Sequence, residues 1–166
     1  MTRTCIAIVD ASCARFFVHK RAVDADGTLD ELTERFDLVD PGRRLTSNEL
    51  FSDSRVSSNR MGHRHFGYDD HRDAHRANMD REFAREIVSK IEELVEATAS
   101  HRLVLCASPH MLGFVREMLK PRADLVIQEL ARDFVKSSVA ELRRHLAAHH
   151  LLPAAPSRKI RTTGRS

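Results

Sequence analysis

The most regular part of this chain is residues 83–98, which read Phe83-Ala84-Arg85-Glu86-Ile87-Val88-Ser89-Lys90-Ile91-Glu92-Glu93-Leu94-Val95-Glu96-Ala97-Thr98. Apolar side chains recur there at every third or fourth position, which is typical of a helix with one buried face. A helix with a single apolar face needs another layer to cover that face. The stretch therefore predicts a long helix that packs on a sheet.

Continuous apolar runs on both sides of this helix predict the strands of the sheet. Residues 4–9 and 102–107 are typical of strands that are buried on both faces, and residues 125–127 form a third such run. Residues 13–19 and 29–38 are rich in β-formers, and short links join them to the first strand as antiparallel neighbours. In the last of these segments, alternation predicts one face that contains Leu32, Glu34, Phe36 and Leu38.

Two serine signals mark the later helices. Ser108 precedes Pro109, which suits a cap followed by the first helical position, and Ser138 with Glu141 reads as a capping box. The element order is thus β-β-β-α-β-α-β-α. It predicts a single α/β domain over residues 1–152, with a mixed five-stranded sheet. Three antiparallel N-terminal strands form one half, the other half is parallel, and the helices pack on the sheet.

The segment from Arg60 to His75 has two glycines, four histidines, charges of both signs and no apolar period. We expect it to be an exposed loop before the long helix, with the helix capped by Asp69, Asp70 or Asp73. Exposed loops on a rigid scaffold often contain the functional residues. The predicted binding residues are Arg60, Met61, Gly62, His63, Arg64, His65, Phe66, Gly67, Tyr68 and Arg72.

The formal charge of +3 originates at one end of the chain. Residues 153–166 contain four basic residues and no acid, so the rest of the chain carries about −1. We expect a disordered basic tail over residues 153–166 and a nearly neutral body. A strongly basic RNA-binding face is therefore not indicated by composition.

Cellular location follows from the cysteines and from the lack of targeting patterns. Cys5, Cys13 and Cys106 lie in apolar runs without paired spacing, which predicts buried free thiols. No apolar run is long enough to span a membrane, and no secretory signal pattern is present. We expect a cytoplasmic protein that does not insert into a membrane.

The chain resembles the bacterial family of host attachment proteins, described as required for attachment to host cells. The matching segments are residues 7–17, 81–87, 102–113 and 138–146, and the most specific part is the strand-to-helix segment that ends in Pro109 to Gly113. The element order is also similar to the middle domain of eukaryotic and archaeal peptide-release factors. In those proteins the loop before the long helix presents a Gly-Gly-Gln motif.

Peptide release does not carry over to this chain. The only glutamine is Gln128, which falls in a predicted strand, and the corresponding loop lacks one. Contact with RNA or the ribosome remains open. The loop arginines suit phosphates, and its rings suit stacking on bases. These residues are Arg55, Arg60, Arg64, Arg72 and Arg76, with His65, Phe66 and Tyr68.

Several residue patterns could indicate a catalytic or metal-binding site, but each has a simpler structural interpretation. The pairs His63 with His65 and His71 with His75, beside Asp69 or Asp70, have metal-ligand spacing, but interleaved arginines oppose a cation. Asp10 ends the first strand, where ribonuclease-H-like nucleases hold a metal-binding carboxylate. Two-metal chemistry needs convergent acids, and only Glu34 and Asp133 are remotely placed to help. We read Asp10 as a turn cap, and Ser108 beside His110 as a helix cap rather than a nucleophile.

These patterns together predict a non-enzymatic protein of the host-attachment type, with no cofactor and no metal. We expect it to act indirectly from inside the cell, by binding a partner through the loop before the long helix. An RNA- or ribosome-associated factor is the alternative, and a metal-dependent hydrolase is the third reading. The partner is an unknown protein or RNA, and homo-oligomerisation remains open.

Overall fold

A computed structural model describes residues 1–25, 27–40 and 68–156. The strands are β1 (Thr2–Val9), β2 (Cys13–Asp24), β3 (Gly27–Val39), β4 (Arg102–Ala107) and β5 (Val126–Leu130). The helices are α1 (Tyr68–Thr98), α2 (Pro109–Met118) and α3 (Val139–Ala148). The predicted element order is therefore confirmed.

The sheet has five strands in the order β3-β2-β1-β4-β5. β1 pairs antiparallel with β2, and β2 pairs antiparallel with β3. β1 pairs parallel with β4, and β4 pairs parallel with β5. The predicted mixed sheet, antiparallel in one half and parallel in the other, is confirmed. β1 lies at its centre, which explains why residues 4–9 are buried without alternation.

Helices cover both faces of the sheet. On one face, α1 and α2 pack on the side chains of Cys5, Ala7 and Val9 of β1 and on their neighbours in β2 and β4. On the other face, Leu142 and Leu146 of α3 pack on Ile6 and Ile8. The predicted apolar stripe of α1 is buried from Phe83 to Val95. The domain therefore has three layers, with β1 in the middle layer.

The predicted common face of β3 is wrong. Phe36 and Leu38 pack on the α1 side, whereas Leu32 packs on the α3 side and Glu34 pairs with Arg15. The register explains the difference: Phe16 pairs with Phe36 but Phe17 pairs with Glu34, so one residue of β3 is left over. Such a β-bulge shifts the strand by one residue and exchanges its two faces.

The long helix begins earlier than predicted. Residues from Tyr68 to His75, expected to be loop, are the first turns of α1, and Asp69, Asp70 and Asp73 lie inside the helix rather than before it. A helix that is already nucleated extends by one hydrogen bond per residue without a new nucleation cost. Acidic residues in its first turns also favour the positive end of the helix dipole. The absence of an apolar period therefore did not prevent helix formation.

The two predicted serine caps are confirmed. The Ser108 side chain accepts a hydrogen bond from the Met111 amide, with Pro109 at the first helical position. Ser138 and Glu141 form a complete capping box at α3. These caps fix where α2 and α3 begin relative to the strands that precede them.

Candidate functional site

The predicted binding residues fall at the start of α1 and in the segment before it. Residues Arg60 to Gly67 lie outside the described residues, and Tyr68 is the first residue of α1. Arg72 is exposed in the second turn of the helix. Of the predicted binding residues, the structure therefore places the Arg72 side chain on the surface. The predictions for residues 60–67 are not tested.

The first turns of α1 are exposed on every side. All six consecutive residues from His71 to Arg76 are exposed. Six residues of an α-helix go round the axis more than once, since a turn takes 3.6 residues. No side of these turns is therefore buried by the described part of the chain. Ala77 and Met79 are half-buried, and Asp80 is the first buried residue, with 1% of its surface exposed.

Basic side chains share one side of this exposed part of α1. At 100° per residue, His71, Arg72, His75 and Arg76 fall within an arc of roughly 140° on an ideal helix. Asp73 falls outside that arc. We call these four residues the basic stripe. It is a surface suited to a partner with negative charge.

A polar contact with α2 holds α1 where its exposed and buried parts meet. The His110 Nε2 atom lies 2.8 Å from Oδ2 of the buried Asp80. The guanidinium of Arg81 lies over the ring of Phe114, which also contacts the ring of His110 edge-on. Sequence reasoning missed this pair. The sequence does contain a sign of it: Asp80 lies one helical turn before Ala84, so a carboxylate falls on the apolar face of the helix.

Asp10 acts as a turn cap, as its position predicts. Its Oδ1 atom accepts hydrogen bonds from the Ser12 amide, the Ser12 hydroxyl and the Cys13 amide, at 2.7, 3.0 and 2.6 Å. Glu34 pairs with Arg15, and Asp133 accepts a hydrogen bond from the Val135 amide. The three acids considered for metal chemistry therefore serve separate structural contacts. Within the described residues, no group of three or more His, Cys, Asp or Glu side chains lies close enough to hold a metal ion.

The cysteines are free thiols. Cys5 and Cys106 are buried and Cys13 is half-buried. Burial raises the pKa of Cys106 to about 12, and burial also raises the pKa values of Cys5 and Cys13. Thiolate is the reactive form of cysteine, so none of the three is prepared to act as a nucleophile.

A buried polar cluster on the α3 side of the sheet was not predicted. His19 of β2 and Arg143 of α3 both contact Oδ1 of Asp30 on β3, at 3.1 and 2.7 Å. Burial lowers the pKa of His19, and the hydrogen bond to Asp30 only partly offsets this. Burial acts to raise the pKa of Asp30, but the hydrogen bonds from His19 and Arg143 outweigh it, so that pKa is lowered. We call these three residues the Asp30 cluster.

The single glutamine has a structural role. Gln128 lies on β5, where its Oε1 atom accepts hydrogen bonds from the Arg102 guanidinium, one of them 2.9 Å from Nε. This agrees with the prediction that it lies in a strand. The likeness to the release-factor middle domain remains a prediction.

The fold and the surface define a class of protein: a three-layer α/β domain whose longest helix begins as an exposed, basic surface. In the part of the chain that the structure describes, no helix is both long and apolar enough to cross a membrane. A family profile described as "Protein required for attachment to host cells" matches residues 5–146. The chain therefore belongs to this host-attachment family.

Solved structures show only a distant likeness. Two structures of Aquifex aeolicus proteins are similar, one of a Ppx/GppA family member and one of the type II variant of the Ppx/GppA phosphatase. They are 10% and 9% identical, with TM-scores of 0.39 and 0.38, over 78% of this chain. The match spans only 35% and 36% of those chains. Comparison with curated proteins finds no significant match.

Proposed function

We propose that this host-attachment family protein is a non-enzymatic binding protein that contacts its partner through Arg60 to Tyr68 and the exposed start of α1, including Arg72. One observation carries the proposal: the six consecutive exposed residues from His71 to Arg76 on a single helix. A helix surface that the described residues leave exposed is available to another molecule.

The packing of α1 supports this role. The same helix that carries the exposed turns is buried at Phe83, Ile87 and Ile91, and it ends at Thr98. Its 31 residues span about 46 Å, of which the first dozen precede the buried part. A surface held by a rigid element loses little conformational freedom on binding, which favours affinity.

The proposal includes an indirect role in attachment, exerted from the cytoplasm. The three free cysteines suit a reducing compartment, where disulfides are rare. Fractionation of cells that express the protein tests this part directly. Recovery mainly from the extracellular or surface fraction would contradict an indirect role.

Charge reversal on α1 tests the binding surface. Arg72→Glu with Arg76→Glu changes the charge by four units on exposed turns, and Arg132→Glu with Arg144→Glu makes the same change on exposed residues elsewhere. We expect the first pair to lose co-purified partners and to fail to restore host-cell attachment in a deletion strain. The second pair should behave as wild type. Equal behaviour of the two double variants would overturn the proposal, provided that both melt like wild type.

A photo-cross-linking residue at His75 gives a second readout. It should capture a partner in cells, whereas the same residue at exposed Arg144 should not. Because this test needs no change of charge, it separates contact at α1 from a general electrostatic effect. Capture of the same species from both positions would indicate non-specific association.

An RNA- or ribosome-associated role is the second candidate, and the basic stripe favours it. Positive side chains on one side of an exposed helix suit phosphate contacts. If RNA is the partner, affinity should fall steeply with salt, by a log–log slope of about −0.7 for each single-strand phosphate contact. Arg72→Gln should reduce the magnitude of that slope by about 0.7, which is the contribution of one phosphate contact. A partner that survives nuclease treatment and binds without salt dependence would exclude this candidate.

A further inference from the structure

A groove opens at the end of the sheet where β1, β4 and β5 begin, on the face that α3 covers. Its volume is about 600 Å³, and its floor includes Thr4 of β1, His19 of β2 and Arg102 of β4. The chain after α3 closes one side, since Leu151 accepts a hydrogen bond from Arg102 through its carbonyl oxygen. This end of the sheet is opposite to the end where α2 begins. It is therefore separate from the surface at the start of α1.

The groove is lined by positive charge without negative charge. Arg3, Arg21 and Arg102 line it, together with His19 and His101, and none of its lining residues is Asp or Glu. The Asp30 carboxylate lies beyond His19 and is paired with Arg143. Its charge is thus already balanced by a different arginine.

The three groove arginines differ from other arginines of this protein. Within the described residues, four arginines form ion pairs with a carboxylate: Arg15, Arg116, Arg122 and Arg143. By contrast, Arg3 donates to the Thr98 carbonyl and Arg102 donates to Gln128 and Leu151, all neutral acceptors. Arg21 makes no side-chain hydrogen bond or ion pair in the described part of the chain. Within the residues that the structure describes, no carboxylate forms an ion pair with any of the three guanidiniums.

Hydrogen bonds to neighbouring residues hold part of the positive lining of the groove in a fixed orientation. Neutral acceptors orient Arg102 without cancelling its charge, and Arg21 lines the groove from a half-buried position on β2. Arg3 shares the α1 face of β1 with Cys5 and donates to the Thr98 carbonyl, so its guanidinium points away from these two. Guanidinium groups bind oxyanions in a bidentate manner, and they do so most strongly where water is partly excluded. Because burial lowers the pKa of His19, its ring is neutral near pH 7 and the arginines supply the positive charge.

We propose that this groove binds a small organic anion, whose phosphate or carboxylate group is held by Arg21 and Arg102. The rest of the ligand would lie against apolar side chains of the groove, such as Met1 and Val126. A volume of about 600 Å³ lies within the range of small-molecule sites. This inference does not depend on the proposed function of α1.

Titration with simple probes tests the proposal at constant ionic strength. Phenyl phosphate and benzoate carry the two candidate anionic groups on the same apolar ring, and benzyl alcohol is a neutral control. We expect saturable binding of at least one anion with a Kd below about 1 mM, and none of the alcohol. Binding of phenyl phosphate alone would assign the site to phosphates, and binding of benzoate alone to carboxylates. No saturable binding of either anion, or equal binding of the alcohol, would overturn the proposal.

A matched pair of variants locates the binding. Arg21→Gln removes the groove arginine that makes no contact of its own, and Arg144→Gln removes an exposed arginine of α3 outside the groove. Loss of one charged hydrogen-bond donor should weaken the anion about tenfold or more in Arg21→Gln and leave Arg144→Gln unchanged. Amide NMR shifts on titration should centre on β1 and on residues near Arg102. Equal weakening in both variants, or shifts centred elsewhere, would contradict the assignment.

Discussion

Arg143 of α3 donates a hydrogen bond from Nη2 to Oδ1 of Asp30 on β3 over 2.7 Å, with only 13% and 3% of the two side chains exposed. The pair links the outer hairpin of the sheet to the helix that covers it, across more than a hundred residues of sequence. Asp30 Oδ2 and Arg143 Nη1 are buried without a hydrogen-bond partner in the described residues. The pair is therefore incompletely satisfied, although it is buried.

Removing either Asp30 or Arg143 alone should strongly destabilise the folded protein. Asp30→Leu leaves the Arg143 charge buried and unpaired, and we expect a loss of about 3–5 kcal/mol in the free energy of unfolding. Adding Arg143→Met should recover part of that loss, because no buried charge remains. Urea unfolding at neutral pH measures both. Glu129→Ala, which breaks the more exposed pair with Arg116, should lower the free energy of unfolding much less than Asp30→Leu, because solvent screens that pair. A double variant no more stable than Asp30→Leu alone would contradict this account.

Acid should destabilise the protein through the same cluster. The pKa of His19 is lowered from 6.5 in the folded state, so the unfolded chain binds the proton more tightly. Its contribution is complete above pH 6.5 and is lost as the pH falls below that value toward the lowered pKa. The pKa of Asp30 is also lowered, from 3.8, so its contribution is present above pH 3.8 and is lost as the pH falls through its folded pKa.

His19→Asn tests the histidine part of this dependence. We expect a flatter change of unfolding free energy between about pH 5 and 7 than in the wild type, because one proton-linked group is gone. Denaturant unfolding at several pH values measures the slope. His149→Asn, at an exposed histidine, should leave the slope as it is in the wild type. Identical slopes in wild type and His19→Asn would show that another group dominates.

Arg15 joins β2 to the segment before α3. Its guanidinium contacts both carboxylate oxygens of Glu34 at 2.7 Å and donates to the Val135 and Ser137 carbonyls at 2.9 and 2.6 Å. Lysine has no planar fork and cannot make this set of bonds. We expect Arg15→Lys to cost about 1–3 kcal/mol in thermal or urea unfolding. Arg122→Lys, in an exposed pair with Asp124, should unfold like the wild type, because solvent screens that pair.

The β-bulge of β3 should tolerate both substitution and deletion of its leftover residue, Arg35. No described residue of β3 other than Gly27 has a positive φ, so the leftover residue needs no glycine. Arg35→Ala should change stability by less than about 0.5 kcal/mol. Deletion of Arg35 should also preserve cooperative unfolding, because Glu34 and Phe36 then become consecutive residues that still pair with Phe17 and Phe16, so each keeps its face of the sheet. Loss of cooperative unfolding in the deletion variant would show that the bulge itself is required.

The cysteines should differ in reactivity. Cys5 and Cys106 are fully buried, and burial raises the pKa of Cys106 to about 12, whereas Cys13 is half-buried. We expect iodoacetamide at pH 8 to modify native protein slowly and first at Cys13, and to modify all three after denaturation. Mass spectrometry of peptides measures the order. First modification at Cys106 would indicate that β4 opens readily.

Local signals in the sequence account for most of the element order. The apolar runs of β1 and β4 mark strands by themselves, and the Ser138 and Glu141 pair marks the start of α3. Such signals depend on neighbours within a few residues, which the sequence shows directly. The start of α1 was predicted too late because its first turns carry no apolar period, and helix extension does not require one.

The sequence by itself determined the strands, the helix caps and the alternation of buried and exposed side chains along most elements, because these follow from local periodicity and backbone preference. Only the tertiary structure decided the β-bulge, which turns Asp30 and Glu34 toward α3 and so brings Asp30 to His19 and Arg143. It also brought Arg21 of β2 and Arg102 of β4 to one groove. Contacts of this kind join residues far apart in the chain, so they depend on strand register and layer packing, which no local pattern encodes.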